Sequence, residues 1–212
     1  MTYEEYEQEV KKHLSERRFF HSQCVAEEAA KLAARYGADV EQARTAGILH
    51  DIMKDTPPEE QLKIMEKVGI MLSKRQSPVP KPWHGSAGAA YLSGVLGVKD
   101  PAVLSAVECH TWGKKDMSLL EKVLFVADYI SADRDYPGVE AMREAAERSL
   151  EEAIVKGVAW TLNDLSGQGK PVDPDSVWAY DDALEVLKAK GDVVFQPGRF
   201  GFPEIEIKEG ES

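Results

Sequence analysis

Positive charge is in short supply in this chain: 26 Lys and Arg stand against 37 Asp and Glu, for a formal charge of −11. Without a basic surplus to neutralise phosphates, binding of nucleic acid or of an anionic membrane is disfavoured as a main activity. A small anionic substrate would need a local positive site, which metal ions and a few Lys or Arg can supply inside an acidic protein. Long apolar runs are lacking as well. No stretch approaches the roughly 18 apolar residues of a membrane span, and the start MTYEEYEQEV carries no leader-like segment, so the expectation is a soluble, cytoplasmic protein. Cysteine is scarce: Cys24 and Cys109 make neither a disulfide framework nor the closely spaced pairs of a zinc knuckle. Both read as reduced, buried small hydrophobes, Cys109 included although it adjoins His110, because no architecture that would activate a thiolate is visible. Internal repeats and low-complexity tracts are absent.

What is present is helical periodicity. From residue 3 to about 190 the apolar positions recur at three- and four-residue spacing, which marks amphipathic helices and an all-α fold. Val25, Ala29, Leu32 and Ala33 form one stripe, ended by Gly37, and Ala43, Ala46, Gly47 and His50 form the next. These faces carry His21 and His50 inward. Asp55-Thr56-Pro57-Pro58-Glu59-Glu60 reads as a restart, with a capping residue and early prolines before a helix over about 57–68. The segment from Gly69 to Pro82 reads as a loop, mobile enough to gate a site, that delivers His84 to the start of another helix. Asp100-Pro101 starts a helix running to His110, Ser118 opens one leading to Asp128, and Pro137-Gly138 breaks the chain before two more helical segments. At 212 residues with 43% hydrophobic content, one domain over 1–190 is expected. The tail 191–212, with its alternating IEIK run, suggests a short hairpin or an extended appendage.

Four of the five histidines, His21, His50, His84 and His110, fall in an order H…HD…H…H…D that includes Asp51 and ends at Asp128. A single histidine on a helix face is more often a hydrogen-bonded core or surface residue than a ligand, and neither His84 nor His110 would carry an argument alone. Asp128, inside VLFVADYI, is harder to set aside, because a carboxylate on an apolar face is costly unless it is paired or metal-bound. The joint pattern points to one or two divalent ions. Imidazole with carboxylate suits zinc, iron, manganese and related metals, and the lack of Cys ligands argues for a catalytic rather than structural site. Asp51 is the candidate bridge between two ions. His21, His50 and Asp128 would complete one ligand set, and His84 with His110 would serve a second ion or contact a phosphate. His13, in the polar KKHLSERR stretch, reads as surface.

The blocks RRFFHSQCVAEEAAKLA, AGILHDIMKDTPPEE, WHGSAGA, HTWGKKDMSLLEKVLFVADYI and DRDYPGV, in that order, resemble the HD-domain phosphohydrolases. Within them they resemble the YqeK-type symmetrical diadenosine tetraphosphate hydrolases of bacteria. The resemblance implies an HD-domain helical bundle, a metal set of His21, His50, Asp51 and Asp128 with His84 and His110 lining the same centre, and non-haem iron as the metal. It also implies cleavage of the tetraphosphate bridge to two ADP, which hydroxide held by the metal could effect without a protein nucleophile. Asp51, Lys54, His84 and His110 are then the catalytic candidates. Lys54, one turn beyond His50, can meet a phosphate oxygen, and Arg18, three residues before His21, shares its face and resembles the family's phosphate-side arginine. Arg134 and Lys170 resemble nucleotide contacts, and Thr111 could bond a phosphate or the base. Trp112 departs from the family pattern, and either it or Trp83 could stack on adenine. Two other readings stay open: a phosphatase or phosphodiesterase acting on another nucleotide, and a nucleotide-binding protein without turnover. Metal count, base preference and a homodimeric state are also open.

Overall fold

The structure, a computed structural model, describes residues 1–69, 83–198 and 202–208. Among them are ten helices and one two-stranded antiparallel sheet, so the all-α expectation with a terminal hairpin holds. The described residues group into two compact units, one of residues 1–111 and 119–133, the other of residues 112–118 and 134–212. These limits differ from the expected ones at 190 and 191, because the terminal hairpin belongs with the helices that precede it.

The first unit holds α1 (Tyr3–His13), α2 (Glu16–Tyr36), α3 (Val40–Leu49), α4 (Pro58–Lys67), α5 (Trp83–Gly94), α6 (Pro101–Cys109) and α7 (Leu119–Ile130). α3 lies in contact with α1, α2, α6 and α7, and α5 packs on α4 and α6. The stripe Val25, Ala29, Leu32 and Ala33 is buried, and α2 ends at Gly37, whose φ of 80° is the left-handed cap geometry that costs glycine little. Asp39 and Asp100 cap α3 and α6 with carboxylate oxygens that accept from Gln42 N and from Ala102 N. The restart before α4 differs from expectation. Pro57 is the N-cap and no side chain bonds there, because the Asp55 carboxylate instead accepts from Ser15 N at 2.9 Å and pairs with Arg18 at 2.6 Å. The expected loop to Pro82 falls, over 70–82, outside the described residues.

Two glycines let helices approach closely. A Cβ on Gly47 would stand 2.5 Å from Ala26 Cα in α2, and one on Gly85 would stand 2.6 Å from Glu108 O in α6. Both lie within three residues of a histidine of the pattern, so the close packing bears directly on where His50 and His84 sit.

The second unit holds α8 (Val139–Arg148), α9 (Leu150–Gly167), α10 (Pro174–Lys188) and strands β1 (Asp192–Pro197) and β2 (Pro203–Lys208). Three helices stand where two were expected. The extra break is at Ser149, which takes extended angles (φ −163°, ψ 138°) and caps α9 by accepting from Glu151 N and Glu152 N. No Gly or Pro marks it, so the apolar periodicity runs across without a visible stop. In the hairpin Val193 faces Ile207 and Phe195 faces Ile205. Phe202 stacks on Trp160 of α9 with ring centres 5.4 Å apart, so the start of β2 is anchored on that helix. No described helix is long and apolar enough to cross a membrane.

Candidate metal centre

α3 ends at Leu49, with His50 as its cap, and the next residues turn repeatedly: Ile52 N donates to Leu49 O, Lys54 N to Asp51 O, and Thr56 N to Met53 O. This tight winding sets His50 and Asp51 facing the same interior although they are neighbours in sequence. Gln61, buried in α4, clamps the winding by donating from Nε2 to Met53 O at 3.0 Å and Thr56 O at 2.8 Å. Nothing in the local pattern marked Gln61, whose role depends on α4 folding back over the turn.

Four imidazoles then run in series, with ring centres 5.3 Å apart from His21 to His50, 5.0 Å from His50 to His110 and 5.0 Å from His110 to His84. All four are buried. His50 and His110 donate Nδ1–H to the carbonyls of Gly47 and Val107, each at 2.7 Å. A carbonyl can only accept, so these bonds fix the tautomer and leave each Nε2 bare and aimed inward. His50 Nε2 is buried without a hydrogen-bond partner among the described residues. Leaving such an acceptor dry is costly unless something absent from the protein atoms completes it.

Asp51 Oδ1 stands 3.2 Å from His84 Nε2, 3.4 Å from His110 Nε2 and 3.3 Å from Lys54 Nζ. The two Nε2 atoms of His84 and His110 are 3.1 Å apart, Lys54 Nζ lies 3.0 Å from His84 Nε2, and Thr111 Oγ1 lies 3.1 and 3.2 Å from the two rings. On the other side of His50, His21 Nε2 lies 3.0 Å from Asp128 Oδ1. Donor atoms of His21, His50 and Asp51, of His50, His110 and Asp128, and of Asp51, His84 and His110 each gather within 4.8 Å. Ligands about 2.1 Å from one ion sit roughly 3 to 3.5 Å from each other when adjacent, a range that the separations among Asp51, His84 and His110 and between His21 and Asp128 match. The donor set fits a divalent cation, and His50, Asp51 and His110 each take part in two of the three groups.

Electrostatics point the same way. Burial pushes the His50 pKa down to about 4, against the opposing pull of Asp51 and Asp128, so the ring is neutral and available as a ligand near neutral pH. His84 is lowered too, first by burial, with His110 and Lys54 adding to it. Burial alone would raise the Asp51 carboxyl, but His50, the close approach of the His110 and His84 rings, and Lys54 outweigh it and hold the group well below the usual range.

The geometry thus brings together His21, His50, Asp51, Lys54, His84, His110, Thr111 and Asp128. Arg18 is engaged with Asp55, while Arg134 and Lys170 belong to the second unit. His13 stands apart, bonded to Tyr91 OH at 2.9 Å. Cys109 is buried and Cys24 partly so, both as free thiols. Asp133, which the sequence did not single out, meets His21 Nδ1 at 2.8 Å. It follows α7 where helical spacing no longer indicates which way a side chain faces.

The HD-domain family pattern matches residues 18–133, the segment that contributes every residue of the cluster. The chain is 39% identical over 173 residues to the symmetrical bis(5′-nucleosyl)-tetraphosphatase of Bacillus subtilis, covering 81% of this chain and 91% of that one. It is 37% identical to the protein of the same name from Halalkalibacterium halodurans, over 82% of this chain and 93% of that one. A crystal structure from Clostridium acetobutylicum, described as a "predicted HD superfamily hydrolase involved in NAD metabolism", superposes with a TM-score of 0.84 at 32% identity, covering 88% of this chain and 98% of that one. With the histidine and aspartate pattern intact and the similarity spanning most of both partners, this chain belongs to the HD-domain family, in the group of the symmetrical bis(5′-nucleosyl)-tetraphosphatases.

Proposed function

We propose that this protein is a metal-dependent hydrolase that splits diadenosine tetraphosphate symmetrically into two ADP, in the cytoplasm, with iron as its metal. The observation that carries the reading is the similarity to named tetraphosphatases across nine-tenths of their length, in a chain whose His and Asp donors converge. His21, His50, Asp51 and Asp128 would hold the metal, and His84 and His110 a second ion or a phosphate. Such an ion, when bound, makes water nucleophilic near neutral pH and draws charge from a phosphoryl oxygen.

The chain's own groups supply the rest. Asp51, kept ionised by its surroundings, anchors the centre with negative charge. Lys54, whose side chain is 31% exposed beside the buried cluster, offers a positive charge to a phosphate oxygen at the rim. Arg18 is held by Asp55 and can exchange that partner for phosphate. Thr111 places a hydroxyl beside both inner imidazoles, where it can donate to a phosphoryl oxygen or orient a ring. Arg134 and Lys170 are proposed as nucleotide contacts on the family resemblance of their sequence positions alone. A second reading, hydrolysis of another nucleotide, draws on the Clostridium acetobutylicum protein's description as involved in NAD metabolism.

One assay separates them. Chelated protein reloaded with ferrous iron or manganese is given diadenosine tetraphosphate, and the nucleotides are resolved by chromatography. ADP as the only product is expected. ATP with AMP would overturn the symmetric assignment, and no product with any metal would overturn the tetraphosphatase reading in favour of another nucleotide or of binding without turnover.

A further inference from the structure

We infer that Asp133, steadied by Ser131, is a positioning residue that keeps a proton on His21 Nδ1 and thereby aims His21 Nε2 at the metal centre. The inference rests on the metal-centre reading and adds the group that sets one ligand's orientation.

The need arises from where each histidine sits. His50 and His110 are the cap residues of α3 and α6. The last carbonyls of a helix have no partner within it, so each ring can donate Nδ1–H to the carbonyl three residues earlier, and both do. His21 is in the second turn of the long helix α2. There the preceding carbonyls are consumed by the helix, and an acceptor for Nδ1–H must come from elsewhere in the chain. Asp133 provides it, with Oδ2 2.8 Å from His21 Nδ1.

That carboxylate is itself held. Ser131, fully buried, donates from Oγ to Asp133 Oδ1 at 2.8 Å, and its backbone N–H donates to Ala127 O at the end of α7. Ser131 thus meets one oxygen of the carboxylate and His21 the other. α7 also carries Asp128, whose Oδ1 faces the opposite ring nitrogen at 3.0 Å. The ring is gripped from both ends by residues five apart in sequence, one carboxylate among the candidate ligand groups and the other outside them. A carboxylate on the far nitrogen fixes ring orientation and raises ligand basicity, and removing such a partner typically loosens metal about 10- to 100-fold.

The test uses the full chain labelled with 15N and zinc as a diamagnetic probe. Wild type should show a slowly exchanging His21 Nδ1 proton, assigned by its absence in His21→Gln, both without metal and with zinc. Asp133→Ala should lose that proton, and competition with a chelator should show zinc held about 10- to 100-fold more weakly. Asp133→Asn, whose amide oxygen accepts the same bond, should keep the proton and recover most of the affinity. Ser131→Ala, which leaves the carboxylate but removes one of the bonds that hold it, should fall between wild type and Asp133→Ala, and supplies the reading if Asp133→Ala does not fold. A Nδ1 proton that survives in Asp133→Ala, or zinc held there as tightly as in wild type, overturns the inference alone. Failure of wild type to bind zinc, iron or manganese would overturn the metal centre and the inference with it.

Discussion

Replacing Gly47 by alanine puts one methyl group into the seam between α2 and α3. That methyl carbon would stand 2.5 Å from Ala26 Cα, 2.9 Å from Ala26 N and 3.1 Å from Val25 O. Carbon contacts settle near 3.5–4.0 Å, so the shortfall is about 1 Å. It falls on helix backbone, which has no rotamer to escape into, and α3 must move away from α2. Overpacking of this kind costs roughly 1–3 kcal/mol, offset by about 1 kcal/mol because alanine favours the helix over glycine. With backbone on both sides the upper end applies, for a net loss of about 2 kcal/mol. The larger effect is on the centre. α3 leads into His50 and Asp51 while α2 carries His21, and a shift of about 1 Å between such groups can cost on the order of a hundredfold in rate. Urea denaturation gives the stability change, and zinc competition with turnover of diadenosine tetraphosphate gives the functional one. Gly167→Ala, whose added carbon meets nothing within 4 Å, is the control and should leave metal affinity unchanged. A Gly47→Ala protein as stable as wild type and with wild-type metal affinity would refute the argument that this approach sets the ligand geometry.

Asp51→Ala should abolish bound metal and turnover while preserving the helical circular dichroism, and His13→Ala should do neither; metal analysis with an activity assay decides it. Removing Lys54, Arg18 or Arg134 should raise KM or lower kcat with metal content intact, and unchanged kinetics in all three would remove the proposed phosphate contacts. Acid should destabilise the metal-free protein. His50 takes up a proton near 6.5 when unfolded but only near 4 when folded, so between those values the unfolded state binds more protons and stability falls as pH falls. The slope is about 1.4 kcal/mol per pH unit and the total about 3 kcal/mol from this group, with the lowered His84 acting in the same direction. Urea midpoints between pH 7 and pH 4 that stay level or rise on acidification would contradict it.

Much of this protein is local and could be read from the chain. Helical spacing placed α2, α3, α6 and α7, Asp-Pro located the start of α6, and the alternating IEIK run located β2, because periodicity, caps and turns depend on neighbours a few residues away. The order of histidines and aspartates pointed to residues that the fold gathers into a cluster able to hold a metal, since few other arrangements explain so many ligand types on apolar faces. Tertiary structure decided what distance in sequence conceals. The break at Ser149 interrupts an unbroken apolar pattern, made by a capping hydroxyl where neither Gly nor Pro stands. Asp55, a capping residue by pattern, was drawn instead to Ser15 and Arg18, about forty residues away. Asp133 reaches His21 across 112 positions, and Gln61 clamps the His50-Asp51 turn only because α4 folds back on it. A hydrogen-bond partner is chosen by three-dimensional proximity and by which backbone groups a helix leaves unused, and no spacing rule within one segment encodes either.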